Sequence, residues 1–333
     1  MTELVPLVIV TGFLGSGKTT LLQRYLATPS GARTGVVVNE FGEVGLDHRL
    51  LVHSREQIEL IDGGCMCCAR RSDIGRALHE LVRRAKSGKG QMVDRIIIET
   101  TGLADPSPIV SSIGRDAWMK ANIRLEQTIC VLDSVNGQAN AAIYPEARRQ
   151  IAIADAIVIT KQDLRNAQTP ADISAFVRGI TPDAMIVDSQ SPAFDMAAIV
   201  ERDVRSSVAP PRSTFLAEDS SHRSAWTSFT IPIPSRLDWP VFTLWLSSLL
   251  YSHGNNILRV KGLIRTTSSD GPLIVHGVQH VMHPPTHLRA DEDASQQGFL
   301  VFITDGLERS AIEESMYRFQ SYASPAELVG ALP

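Results

Sequence analysis

The chain has 333 residues, enough for about two domains, and 44% apolar against 20% charged residues excludes wholesale disorder. Thirty-two Lys and Arg against 36 Asp and Glu leave a net charge of −4, which gives no electrostatic footprint for nucleic acid or an anionic membrane. No apolar run approaches the roughly 18 residues that cross a bilayer. Met1-Thr2-Glu3-Leu4 lacks the basic start and apolar core of a secretion signal, so a soluble cytoplasmic protein is expected.

The first half alternates short β-branched runs with helical stretches. Val5 to Val10 predicts a strand, followed by a Gly-rich turn and a helix from Lys18 to Ala27. Val36 to Val38 and Ile58 to Ile61 predict two more strands. Ser72 to Lys86 has helical spacing, with Ile74, Leu78, Leu81 and Val82 on one side. Arg95 to Glu99, Gln127 to Leu132 and Ala156 to Ile159 are apolar runs suited to buried parallel strands, and Ala184 to Val187 is a weaker example. Strands alternating with helices predict a mostly parallel sheet with helices on both faces, over residues 1–190.

The pattern then changes. Residues 191–225 are rich in Ser, Pro, Arg and Ala and read as a linker, with one helix around Met196 to Val204. Phe229 to Ile233, Leu258 to Leu263, Leu273 to Val281 and Gly298 to Thr304 predict strands, and Trp239 to Tyr251 and Ser310 to Phe319 predict helices. Residues 226–333 are therefore expected to form a smaller α+β domain.

Gly12-Phe13-Leu14-Gly15-Ser16-Gly17-Lys18-Thr19 matches GxxxxGK[ST] between a predicted strand and a predicted helix. Glycines at 12, 15 and 17 let backbone N–H groups turn inward around phosphate oxygens, with Ser16 and Thr20 in the same cradle. Lys18 is expected at the β- and γ-phosphates and the Thr19 hydroxyl at Mg²⁺. The helix N-terminus adds its partial positive charge. Glu99-Thr100-Thr101-Gly102 ends the Ile96-Ile97-Ile98 strand. A carboxylate there suits Mg²⁺, directly or through water, and Gly102 would admit the γ-phosphate close to the backbone.

Thr160-Lys161-Gln162-Asp163 follows another buried strand. In P-loop GTPases an Asn/Thr-Lys-x-Asp element at this place reads guanine. The Asp accepts from N1–H and the exocyclic amine, which adenine does not offer, and the Lys stem covers the base. The plainer reading is a helix start with Asp in its first turn.

Gly63-Gly64-Cys65-Met66-Cys67-Cys68 crowds three of the four cysteines into four positions, a poor disulfide framework and a better metal or redox cluster. Thiolates suit Zn²⁺, Cu⁺ and Co²⁺. In an extended chain Cys65 and Cys67 point one way and Cys68 the other, so the chain must turn for all three to converge, and two glycines make that easy. Glu40, Glu43, His48 and His53 are candidates for a fourth ligand; reduced buried thiols or a redox pair are the alternative. Cys130, inside an apolar strand, reads as core.

The phosphate loop, the run Asn39-Glu40-Phe41-Gly42-Glu43-Val44-Gly45-Leu46-Asp47, the cysteine cluster and Glu99-Thr100-Thr101-Gly102-Leu103-Ala104-Asp105-Pro106 occur in that order. Together they resemble the CobW-like metallochaperone GTPases of the SIMIBI class. Leu258-Arg259-Val260-Lys261-Gly262 and His276-Gly277-Val278-Gln279-His280 are similar to the CobW C-terminal domain. The resemblance implies Mg²⁺-dependent GTP hydrolysis and binding of Zn²⁺ or Co²⁺ at Cys65, Cys67 and Cys68. It also implies delivery to a client metalloprotein or metal-cofactor assembly enzyme, with a homodimer left open. Glu40 or Glu43 would orient the attacking water or bind metal. A P-loop kinase of small molecules, or a nucleotide-switched adaptor with structural zinc, are the rival expectations. His276, His280, His283 and His287 read as structural or surface residues, with His276 and His280 on one side of a strand.

Overall fold

The computed structural model describes residues 4–39, 58–61, 71–87, 93–164, 170–202, 226–233, 236–269, 271–288 and 297–323. The chain forms two units, Met1–Val204 and Arg205–Pro333.

Among the described residues the first unit carries seven strands: β1 (Val5–Thr11), β2 (Thr34–Asn39), β3 (Ile58–Ile61), β4 (Arg95–Glu99), β5 (Ile123–Asp133), β6 (Ala156–Thr160) and β7 (Met185–Asp188). They line up in the order β3-β2-β4-β1-β5-β6-β7, and every ladder is parallel. The helices described with them are α1 (Lys18–Leu26), α2 (Arg71–Ser87), α3 (Ser107–Arg115), α4 (Ala117–Asn122), α5 (Gly137–Ile143), α6 (Pro145–Ala152), α7 (Pro170–Ile180) and α8 (Met196–Val200). A parallel strand covered on both faces can be apolar at every position. Ile96, Ile97 and Ile98 of β4 and Val8, Ile9 and Val10 of β1 accordingly have no exposed surface.

One core cluster joins Val8, Val10, Ile129, Val131 and Val158 of the sheet to Leu21, Leu22 and Tyr25 of α1. Met196, Ile199 and Val200 of α8 belong to the same cluster. Burying such side chains stabilises by about 1.5–3 kcal/mol each. The first unit therefore runs past the expected boundary at 190, and the start of the expected linker is part of its core. α8 is also shorter than expected. Asp195 caps its start by accepting from Ala197 N at 2.8 Å. The buried Gln127 amide donates to Ile199 O at 2.6 Å and Val200 O at 3.1 Å at its end.

The second unit contains β8 (Trp226–Ile233), α9 (Trp239–His253), β9 (Ile257–Ile264), β10 (Leu273–Val278), β11 (Val281–Met282), β12 (Thr286–His287), β13 (Gly298–Asp305) and α10 (Arg309–Ala323). The strands form an antiparallel sheet in the order β11-β10-β9-β13-β8, with β12 beside β10. Its core packs Phe242, Trp245, Leu246 and Leu250 of α9 and Ile312 and Met316 of α10 against Val260, Val275, Leu300 and Phe302. The expected single strand from Leu273 to Val281 is a tight hairpin instead. Gln279 takes φ 50° and turns the chain between β10 and β11. His280 consequently leaves the strand, its Nδ1 lying 2.9 Å from Leu250 O. His276 faces His283 across the hairpin, ring centroids 4.8 Å apart, rather than sharing a side with His280. Among the described residues no helix is long and apolar enough to cross a membrane.

Candidate nucleotide-binding site

The loop between β1 and α1 leaves the middle strand of the parallel sheet at its C-terminal end. Gly12, Gly15 and Gly17 take φ of 142°, 69° and 96°, where side chains other than hydrogen are strained. Gly12 is also sterically fixed, because a Cβ there would come within 2.2 Å of Val131 O. Lys18 opens α1 and is buried. Its Nζ donates to Gly12 O at 2.9 Å and Phe13 O at 3.2 Å, arching back over the loop. Ser16 is buried with its Oγ making no hydrogen bond among the described residues. Thr20 sits on the exposed side of the first turn of α1.

Thr19 Oγ1 donates to Glu99 Oε1 at 2.7 Å. β4 lies beside β1 in register Val10↔Glu99, so sheet topology delivers the carboxylate to the start of α1. Two oxygen donors of hard character at one point suit Mg²⁺. Beyond Glu99 the chain turns under the loop. Thr100 N donates to Val10 O at 2.9 Å, and its Oγ1 donates to Thr11 Oγ1 at 2.8 Å. Gly102 lies against the phosphate loop itself, where a Cβ would meet Leu14 N at 2.6 Å. Gly102 thus approaches the loop backbone closely.

Beside the loop lie the C-terminal ends of β5, β6 and β7. Thr160 Oγ1 donates to Ser16 O at 2.8 Å and lies 3.3 Å from Leu132 O. It braces the phosphate loop from beneath. Lys161 takes φ 60°, an unusual conformation for a residue with a side chain, worth about 1–3 kcal/mol of strain. Its Nζ is held by Asp133 Oδ2 at 2.8 Å. Burial works against the Asp133 charge, but the Lys161 hydrogen bond and the Val135 and Asn136 amides outweigh it and hold the carboxyl below its ordinary value. Asp163 is exposed, and Gln190 Nε2 donates to its Oδ1.

Asp133, Gln150 and Gln190 were not among the expected site residues. Asp133 ends an apolar strand as Glu99 does, and that shared signal could have found it. The buried Gln150 amide donates to Gly102 O and Ala104 O at 3.1 and 2.9 Å; no local pattern marks it. Cys65, Cys67, Cys68 and Glu40 lie outside the described residues, as do Glu43, His48 and His53. Among the described residues no group of three or more His, Cys, Asp or Glu could hold a metal. Cys130 is core, and burial pushes its thiol up to about 12.

The chain matches the family model "CobW/HypB/UreG, nucleotide-binding domain" over residues 6–188 and that of the cobalamin synthesis protein cobW C-terminal domain over residues 226–320. It is 29% identical to the zinc chaperone YjiA of Escherichia coli, over 83% of this chain and 87% of that protein. It is also 29% identical to the zinc chaperone CobW of Pseudomonas aeruginosa, over 94% and 90%. The crystal structure of Zn(II)-bound YjiA GTPase from E. coli superimposes with a TM-score of 0.70 at 23% identity, covering 96% of this chain and 99% of that one. At that identity the likeness speaks for the fold.

Proposed function

This chain belongs to the CobW/HypB/UreG nucleotide-binding family, and from that premise we propose that it is a GTP-hydrolysing metallochaperone. The observation that carries the nucleotide reading is the Thr19–Glu99 hydrogen bond at the mouth of a glycine-bent loop. Loop amides and the α1 N-terminus bind the phosphates, and Lys18 meets the charge that develops at the β,γ-bridge. Thr19 and Glu99 would hold Mg²⁺, which neutralises phosphate charge when bound. Asp163 reads guanine, and the Lys161 stem, fixed through Asp133, forms one wall of the base pocket. Glu40 is the candidate for orienting the attacking water.

Cys65, Cys67 and Cys68 bind the transported Zn²⁺, or Co²⁺, as thiolates. Such thiolates need a reducing compartment, which favours the cytoplasm. The name zinc chaperone on relatives that span most of this chain supports zinc as the cargo. The recipient is a metal-dependent client protein or a metal-cofactor assembly enzyme. The segments bearing Glu40 and the cysteines lie in sequence between the phosphate loop and Glu99. Binding and loss of the terminal phosphate would reshape them.

The test is a metal-competition titration of the intact protein with a chromophoric chelator, in GDP and in a non-hydrolysable GTP analogue with Mg²⁺. Tighter metal binding with the GTP analogue is expected, by roughly 5- to 150-fold. Equal affinities in both states, or absence of GTP turnover, overturns the reading.

A further inference from the structure

We propose that Gln150 is the positioning residue of the loop that follows Glu99, holding it for GTP hydrolysis; the inference rests on the GTPase reading above. Gln150 is fully buried on α6. Both of its amide hydrogens go to one short loop, to Gly102 O at 3.1 Å and to Ala104 O at 2.9 Å. A trans peptide points its C=O and the following N–H in opposite directions. Fixing those two carbonyls toward α6 therefore also fixes the N–H groups of Leu103 and Asp105 on the other side.

The opposite side of the loop is fixed as well. Gly102 packs so closely on the phosphate loop that an added Cβ would meet Leu14 N at 2.6 Å and Leu14 Cα at 2.7 Å. The segment three residues after the Mg²⁺-side carboxylate is thus clasped between the phosphate loop and α6. Neighbouring Arg149 strengthens the clasp, its Nη1 lying 3.5 Å from Asp105 Oδ2. Asp105 in turn accepts from Ser107 N at 2.9 Å and Ser107 Oγ at 2.6 Å, at the start of α3.

Gln150 acts purely as a donor. Its Oε1 is buried and accepts no hydrogen bond among the described residues. Leaving a buried acceptor unmatched is costly, so the donors account for an amide at this place. Catalysis that depends on orientation is sensitive to such a clasp, because a displacement of about 1 Å at reacting groups can cost about a hundredfold in rate. GDP binding, by contrast, has no reacting groups to orient, so it should not depend on the clasp.

The experiment compares GTP turnover and GDP affinity in the intact wild type, Gln150→Ala, Gln150→Met and Gln150→Glu, with thermal melts as the check on folding. Gln150→Met keeps the length without a donor and serves if the alanine variant does not fold. Both are expected to lower kcat by between about tenfold and a hundredfold while changing the GDP Kd less than about twofold. Ionised Glu has no donor, but its protonated form regains one. Gln150→Glu should therefore recover kcat relative to wild type as pH falls. Unchanged kcat in a folded Gln150→Ala or Gln150→Met variant overturns the proposal. So does an equal loss of kcat and GDP affinity, or a Gln150→Glu pH profile parallel to wild type. A wild type that binds but does not hydrolyse GTP instead removes the GTPase reading, and this inference with it.

Discussion

Thr19 and Glu99, 80 residues apart in sequence, are joined by a 2.7 Å hydrogen bond between hydroxyl and carboxylate. The pair exists because β1 and β4 are neighbours in a parallel sheet and both end at the same edge. Glu99→Gln keeps the shape and removes the charge. It should weaken the Mg²⁺ dependence of nucleotide binding while leaving Mg²⁺-free binding close to wild type. Magnesium titrations of fluorescent-nucleotide affinity measure this, and an unaltered magnesium midpoint would remove Glu99 from the cation site.

Lys18→Ala should lower GTP turnover by about a hundred- to a thousandfold, the usual cost of deleting one transition-state charge partner. Lys18 Nζ also ties Gly12 O and Phe13 O, so the loop should loosen as well. Single-turnover kinetics on a variant with a normal far-UV spectrum decides it. Near wild-type rates would sink the phosphate-loop assignment.

Asp163 is expected to set base preference. Hydrogen bonds to a charged group contribute about 1.5–3 kcal/mol, or roughly tenfold to a hundredfold. GTP should outcompete ATP by that margin, and Asp163→Asn should shift preference toward the xanthine nucleotide. Equal affinity of the wild type for GTP and ATP counts against the assignment.

Asp133 makes a pH prediction. Its carboxyl is held below the ordinary 3.8 by the Lys161 hydrogen bond and two backbone amides, despite burial. The folded state therefore favours the ionised form more than the unfolded chain does. That contribution is fully present above about pH 4 and disappears as pH falls through the lowered folded value. Asp133→Asn should flatten the acid limb of a melting-temperature profile below about pH 4. An identical acid limb in the variant would show that the pair adds nothing there.

Cys67→Ala should abolish tight metal binding and its dependence on nucleotide, while GDP affinity stays within about twofold. Linkage requires that metal then also cease to alter GTP affinity, by the same factor. Retained tight zinc binding in Cys67→Ala would place the metal elsewhere.

The legible parts of the fold were those encoded locally. Ile96 to Ile98 and Ala156 to Ile159 announce buried strands because both faces of a parallel sheet are covered. The glycine loop announces itself through positions that only glycine fills readily. The hairpin at Gln279 was hidden, since a glutamine at φ 50° carries no turn signature. Lys161 was read for its stem and not for its counter-ion, because Asp133 reaches it only when β5 and β6 are neighbours. Gln150 and Gly102 meet across 48 residues, and the helices flanking that contact, α3 through α6, lack a long apolar period. Side chains that position a site by bonding to distant backbone leave no spacing to find.

The strand order carries a kinetic consequence. β1 emerges first in the chain, yet its ladder partners are β4 and β5, at Ile96 and Ile123. Parallel neighbours require long crossovers, and loop-closure entropy must be met before such pairings reward it. The strand that launches the phosphate loop therefore waits for its first partner until β4 ends at Glu99, and for its second until β5 has followed. In the second unit β9 and β10 meet as antiparallel neighbours across a short connection, a pairing that forms from local chain. A protein synthesised from its N-terminus thus begins with its slowest sheet, and ribosome-bound chains ending before β5 would expose β1 as an apolar edge for chaperones to shield.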